Sequence, residues 1–218
     1  RDYAETRGFS LGKPTSIEFT PDGKTILFRR ATARDFEHDL FAFDLETGEE
    51  RRILSADTLL DGAEETLSEA EKARRERMRM TARGISGVQI SEDGSKLLTT
   101  LSGNLYVVDR DSGAVTEIAS EYGTPITPRF SPDGRLICVV RDGELVVHDL
   151  VSNSERRLTD DSSDSITNGL SEFIAQEEMR RMEGFWWSPD SRRIVFQRTD
   201  TTPVETLYIA DAVNPERE

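Results

Sequence analysis

The stretch Phe130–Leu150, FSPDGRLICVVRDGELVVHDL, decides the fold. It opens on Ser131-Pro132-Asp133-Gly134, a tight-turn signal, because glycine accepts positive φ and aspartate can hydrogen-bond its own downstream backbone. The run Leu136–Val140 that follows is apolar without interruption. A strand with one solvated face would alternate, so this one is expected to be covered on both faces. Asp142-Gly143 then reads as a tight hairpin loop, and Glu144–Leu150 returns along the first strand. Hairpin connectivity with two buried faces fits sheets stacked radially on one another.

The same unit recurs in both directions. Phe19–Lys24 reads FTPDGK, Ile90–Lys96 reads ISEDGSK and Trp187–Arg192 reads WSPDSR. A β-rich run follows each turn: Thr25–Arg29, Leu97–Leu101, Leu136–Arg141 and Arg193–Arg198. A second run comes at Leu40–Leu45, Asn104–Asp109, Glu144–Leu150 and Thr206–Asp211, marked by Asp44, Asp109, Asp149 and Asp211. The first three units end in a short strand at Glu50–Leu54, Val115–Ile118 or Arg156–Leu158. Four strands over about 40 residues is the size of a propeller blade. The expected fold class is all-β, a β-propeller with about four blades visible and two short helical inserts. A β-sandwich is the competing arrangement, and the regular return of one turn and one strand-closing aspartate argues against it.

The first insert, at about 67–80, contains LSEAEKARRERMRM. Ser68 is placed as an N-cap and Glu71 completes a capping box, so a helix is expected from Glu69 to Met80. Its cations Lys72, Arg74, Arg75, Arg77 and Arg79 are interspersed with Glu71 and Glu76, which reads as a solvated or interdomain helix with internal pairing. The second insert, at about 168–183, carries the acidic doublet Glu177–Glu178. Asn168 or Ser171 is expected to cap a helix running to about Arg181, with Phe173 and Ile174 anchoring it on the propeller. Successive helical residues diverge by about 100°, so the two carboxylates splay as a fork that can converge on one cation where the helix ends. The plainer reading is an acidic surface helix paired with Arg180 and Arg181. An insert that interrupts a regular scaffold favours a site.

Composition narrows the partners. With 28 Lys and Arg against 42 Asp and Glu, the 218 residues carry a formal charge of -14, which argues against nucleic acid or an anionic membrane as main partner. A single cysteine, Cys138, lies inside the apolar run, so no intrachain disulfide or thiolate metal cluster is expected. His38 and His148 are the only histidines, and His148 falls within a strand. No metal or cofactor is called for. No apolar stretch approaches the ~20 residues that span a bilayer, and no signal peptide opens the chain, which leaves periplasm and cytoplasm both open. The chain begins at Arg1 without an initiator Met, as expected of a piece of a longer protein.

The segment Leu67–Arg198 resembles the amino-terminal β-propeller domain of the dipeptidyl peptidase IV family, prolyl-oligopeptidase-like serine peptidases that remove dipeptides from free amino termini. The resemblance rests on LSEAEKARRER, LSGNLYVVD, the Phe130–Leu150 stretch and ERRLTDDSSDSITNG, and above all on EFIAQEE followed by GFWWSP. It implies an eight-bladed ring, and a C-terminal α/β-hydrolase domain outside this chain that supplies a Ser/Asp/His triad. The sequence holds no G-x-S-x-G, and no catalytic residue is assigned within it. The resemblance gives Glu177 and Glu178 the role of holding the substrate's α-ammonium. Two adjacent carboxylates repel until a cation arrives, so a free amino terminus is favoured over an acylated one. The partners implied are peptides with a free N-terminus, the hydrolase domain and a second copy in a homodimer.

Some positions depart from the family pattern. Met182 stands where members usually carry tyrosine, and Phe185 replaces a frequent tyrosine. Members use an arginine to hold the carbonyl of the second substrate residue, and Arg34 and Arg129 are among the candidates here. Trp186 and Trp187 read as blade-packing residues. The alternative function is a non-catalytic β-propeller that binds a partner or ligand without any hydrolase domain.

Overall fold

The computed structural model describes residues 1–67, 69–77, 79 and 81–205, without the side chains of residues 69, 70, 73 and 74. The Ser68 cap, the Met80 end of the expected helix and the Thr206–Asp211 run lie outside the described residues. A one-turn helix, α1 (Asp2–Glu5), precedes a sheet of β1 (Thr15–Phe19), β2 (Thr25–Arg30), β3 (Glu37–Asp44) and β4 (Glu50–Leu54). Helices α2 (Ala56–Leu60) and α3 (Glu69–Arg77) follow, and β5 (Arg83–Gly84) pairs parallel with the start of β3. The second sheet is β6 (Val88–Ile90), β7 (Lys96–Leu101), β8 (Asn104–Asp109) and β9 (Val115–Glu117). The third is β10 (Ile126–Phe130), β11 (Leu136–Arg141), β12 (Glu144–Asp149) and β13 (Ser154–Arg157). Then come β14 (Ile166–Asn168), α4 (Phe173–Glu177), β15 (Phe185–Trp187), β16 (Ile194–Phe196) and β17 (Arg198–Asp200). Here β15 pairs with β16 and β14 with β17, both antiparallel.

The repeated turns share one hydrogen-bond pattern. The hydroxyl of Thr20, Ser91, Ser131 or Ser188 donates to Asp22, Asp93, Asp133 or Asp190 at 2.6 Å in every case. The same carboxylates accept the amides of Lys24, Ser95, Arg135 and Arg192 at 3.0, 3.0, 3.1 and 3.2 Å. These hydroxyl and amide bonds hold Asp22 and Asp93 down to about 2 and shift Asp133 and Asp190 in the same direction. Asp44, Asp109 and Asp149 act likewise at the strand ends, accepting the amides of Thr47, Ser112 and Ser152. In the hairpin loops, Ser102-Gly103 (φ 49° and 81°) and Asp142-Gly143 (φ 50° and 75°) both take left-handed conformations. That pairing matches the right-handed twist of the flanking strands.

Stacking of the sheets explains the unbroken apolar runs. On β7, Leu97 packs with Leu27, Leu40 and Ile85 toward the first sheet, while its neighbour Leu98 packs with Phe130 and Ile137 toward the third. On β11, Cys138 and Val140 face Phe185 and Trp187 of the following unit. Successive residues of a strand point to opposite faces, so a strand between two sheets needs apolar residues at every position. Cys138 is fully buried, and burial pushes its thiol up, out of the reactive range. His148 is buried in β12, where burial makes its ring less basic. On the edge strand β1 of the first sheet Ile17 and Phe19 are exposed, while Phe28 of β2 is buried against Phe41 and Arg30.

Candidate functional site

The second insert hangs from a narrow neck. Leu170 and Glu183 form an isolated antiparallel bridge. Gly169 donates to the Gln197 carbonyl at 2.9 Å, and Gln197 donates to the Gly184 carbonyl at 2.7 Å. A Cβ on Gly184 would lie 2.5 Å from the backbone carbon of Leu170, so only glycine lets the two sides of the neck approach this closely.

Below the neck, Glu144 at the start of β12 is 1% exposed. Its carboxylate accepts the Thr159 hydroxyl, the Ser162 amide and, at 3.0 Å, the Asn168 side chain, and it pairs with Arg157 at 3.1 Å. Burial alone would raise its affinity for a proton; the bonds from Thr159 and Ser162 outweigh it and keep the acid below its usual range. Asn168 also donates to Asp161 at 2.7 Å, and Asp161 takes Arg198 at 2.8 Å.

Glu172 caps α4, accepting the Ala175 amide at 3.2 Å. The expected caps are engaged elsewhere: Asn168 is committed to Glu144 and Asp161, and the Ser171 hydroxyl donates to the Arg181 carbonyl at 2.7 Å. The helix is also shorter than expected and ends at Glu177, with Arg180 in a left-handed conformation at φ 53°. Its anchor is Ala175, fully buried, whereas Phe173 and Ile174 are 58% and 59% exposed. A single turn so close to its neck has room only for a small side chain at the contact.

Arg181 closes the insert as a clasp. It donates to the Glu183 carbonyl at 2.8 Å, to the Gln197 side chain at 3.0 Å and to Glu172 at 3.3 Å, while Gln197 donates to Glu172 at 2.9 Å. The Gln197 bond is the largest influence holding the Glu172 carboxyl below its ordinary range. Glu183 is taken by Arg129. Glu177 and Glu178 are exposed, and the side chain of neither forms a hydrogen bond or ion pair among the described residues. The pairing with Arg180 and Arg181 that a plain surface helix would show is therefore absent among these residues.

Glu177 lines an open cavity of about 450 Å³ together with Gln176, Arg180, Met182, Arg77 and Arg79. Glu178, at the C-cap, lies outside that lining. The arginines of the first insert were the residues that sequence reasoning missed. The Arg77 side chain donates to Gln176 at 3.1 Å across 99 residues of chain, and its guanidinium lies 5.8 Å from the Phe173 ring centre. Helix α3 is held in place by Arg75, whose side chain is 8% exposed and pairs with Glu65 at 2.7 Å and Glu71 at 2.8 Å. Their one sequence signal was a cluster of cations in an acidic chain.

Of the two candidate carbonyl-holding arginines, Arg34 pairs with Asp2 and Glu5 at α1. Arg129 lines a second cavity, of about 600 Å³, with Arg29, Gln89 and Thr99. Met182 borders both cavities. Trp187 packs between the third and fourth units, whereas Trp186 is 42% exposed with Arg181 6.0 Å from its ring centre.

Stacked four-stranded antiparallel sheets bearing a clasped insert define part of a β-propeller. Residues 91–218 match the family model described as "Dipeptidyl peptidase IV (DPP IV) N-terminal region", and the chain belongs to this family. Human dipeptidyl peptidase 8 is 25% identical over 250 residues, covering 95% of this chain and 28% of that protein. Dipeptidyl peptidase 4 of Trichophyton tonsurans is 26% identical over 108 residues, or 49% of this chain and 14% of that protein. The crystal structure of Porphyromonas gingivalis dipeptidyl peptidase 4 shares the fold, with a TM-score of 0.62 at 20% identity over 90% of this chain and 27% of that one. The chain spans 28% or less of the length of these relatives.

Proposed function

We propose that this chain is the substrate-selecting propeller portion of a serine exopeptidase that releases N-terminal dipeptides, with Glu177 and Glu178 binding the substrate's α-ammonium. The observation that carries the reading is the state of the doublet. Every neighbouring acid of the insert is spent on a structural partner, Glu172 on Arg181 and Gln197 and Glu183 on Arg129, while these two carboxylates stay unpartnered among the described residues and Glu177 lines a cavity. An ammonium offers three donors, and charge-assisted bonds to carboxylates are the strong ones. A grip on the chain start at a fixed distance from a nucleophile counts residues, which makes the product a dipeptide. The nucleophile, its acid and its histidine would come from an α/β-hydrolase domain elsewhere in the protein. The partners are peptides with a free N-terminus, that domain and a second copy in a homodimer; no metal and no nucleic acid enter.

The test is turnover by the intact protein of one peptide in two forms, with its amino terminus free and acetylated. Release of a dipeptide from the free form alone is expected. Equal rates on both would overturn the role of the doublet.

A further inference from the structure

Three guanidiniums, those of Arg77, Arg79 and Arg180, border the cavity that holds Glu177. None of them forms an ion pair among the described residues, and Arg77 has only the neutral acceptor of Gln176 and the face of Phe173. Elsewhere around the insert and the third sheet, Arg129, Arg157, Arg181 and Arg198 each have a carboxylate in reach. Three guanidiniums against the one lining carboxylate of Glu177 leave an excess of positive charge at the cavity, and like charges held close raise one another's energy. Position is built in as well: Arg77 is fixed at the end of a helix anchored by the buried Arg75, and Arg180 stands two residues after the acidic doublet, past Met179.

We infer that this cavity selects peptides with an acidic side chain in the N-terminal dipeptide, whose carboxylate is taken by Arg77, Arg79 and Arg180 while the α-ammonium meets Glu177 and Glu178. The inference rests on the amino-terminal reading above and adds the substrate class. Each charge on the substrate meets its opposite: the ammonium meets two carboxylates, and the side-chain carboxylate meets three guanidiniums. Guanidinium forks recognise a carboxylate in a bidentate way that a carboxamide cannot match.

The experiment varies the substrate on the intact protein. Four pairs of unblocked peptides carry Asp against Asn, or Glu against Gln, at the first or the second position, and each has an acetylated twin. In at least one pair the acidic member is expected to show kcat/KM about tenfold higher than the amide, with the ratio shrinking as ionic strength rises. Replacing Arg77, Arg79 and Arg180 together with Gln should bring that ratio to about one, within roughly twofold. A ratio near one in all four pairs for the unaltered protein, with acetylated twins still refused, would overturn the acidic preference and leave the amino-terminal reading standing. Equal turnover of acetylated and free peptides would overturn both.

Discussion

Glu144 and the pair Glu177–Glu178 are carboxylates on the same part of the molecule with opposite circumstances. Glu144 is 1% exposed and surrounded by Thr159, Ser162, Asn168 and Arg157. The doublet is exposed and unpartnered among the described residues, at the tip of the insert whose root Glu144 secures. A buried acid with every partner present serves the fold, because removing it would leave donors unsatisfied. An acid held at a site without partners is available for a cation from outside. The contrast also explains the clasp: Arg181, four positions from Glu177, is diverted to Glu172 and Gln197, so the doublet is not neutralised by its own insert.

The largest effect should come from the doublet and should be on activity alone. Replacing Glu177 and Glu178 with Gln in the intact protein is expected to lower kcat/KM for free-amino peptides roughly 100-fold or more, since each charge-assisted bond contributes about 1.5–3 kcal/mol where desolvated. Stability should stay within about 0.5 kcal/mol, as for other exposed positions. Steady-state kinetics beside a denaturant titration separates the two, and a large stability loss would place the doublet with Glu144 instead.

Glu144→Ala should reverse that signature. It strips a buried carboxylate from Arg157, Asn168 and the Ser162 amide and is expected to cost about 3–5 kcal/mol, read as a fall in the denaturant midpoint. A variant that keeps its midpoint would show that Asn168 and Asp161 hold the insert without it.

Between these extremes lies Arg181. Arg181→Gln keeps the polar contact to Gln197 but loses the charge-assisted grip on Glu172, and the released fork is expected to raise KM about tenfold, or about 1.4 kcal/mol, with kcat changed less. Arg181→Lys should restore part of this, since an ammonium can reach Glu172 but cannot span three acceptors as the guanidinium does. Equal losses of kcat and KM performance in both variants would reduce the clasp to general support.

How much of this was legible follows from distance along the chain. The turns were readable because Ser131, Asp133 and Arg135 hold one another within five residues, and the blades because unbroken runs such as Leu136–Val140 report two covered faces directly. The doublet could be singled out, since it stands on an insert, but its freedom could not. Whether Glu177 pairs with Arg180 or Arg181 depends on Gln197, which reaches Glu172 from 25 residues away. The meeting of the two inserts, through Arg77 and Gln176, left no local trace at all. The caps were misplaced for the same reason: Asn168 and Ser171 are good cap residues whose side chains are claimed by tertiary partners.

The smallest effect concerns acids that share Glu144's kind of environment at the surface. Asp22 and Asp93 are held down to about 2, first by the hydroxyls of Thr20 and Ser91 and then by backbone amides, against about 3.9 for an unfolded aspartate. Because the folded value is the lower one, their contribution is fully present above about pH 4 and is lost as pH falls through that value toward 2. The melting temperature should therefore drop across this window. Asp93→Asn should start slightly lower at neutral pH and drop less steeply, because the amide cannot take up the proton that unfolding favours. Parallel slopes for the two proteins would mean that the Ser91 hydroxyl and the Ser95 amide stabilise the neutral side chain as well as the carboxylate, and the turns would then owe their recurrence to backbone geometry and not to charge.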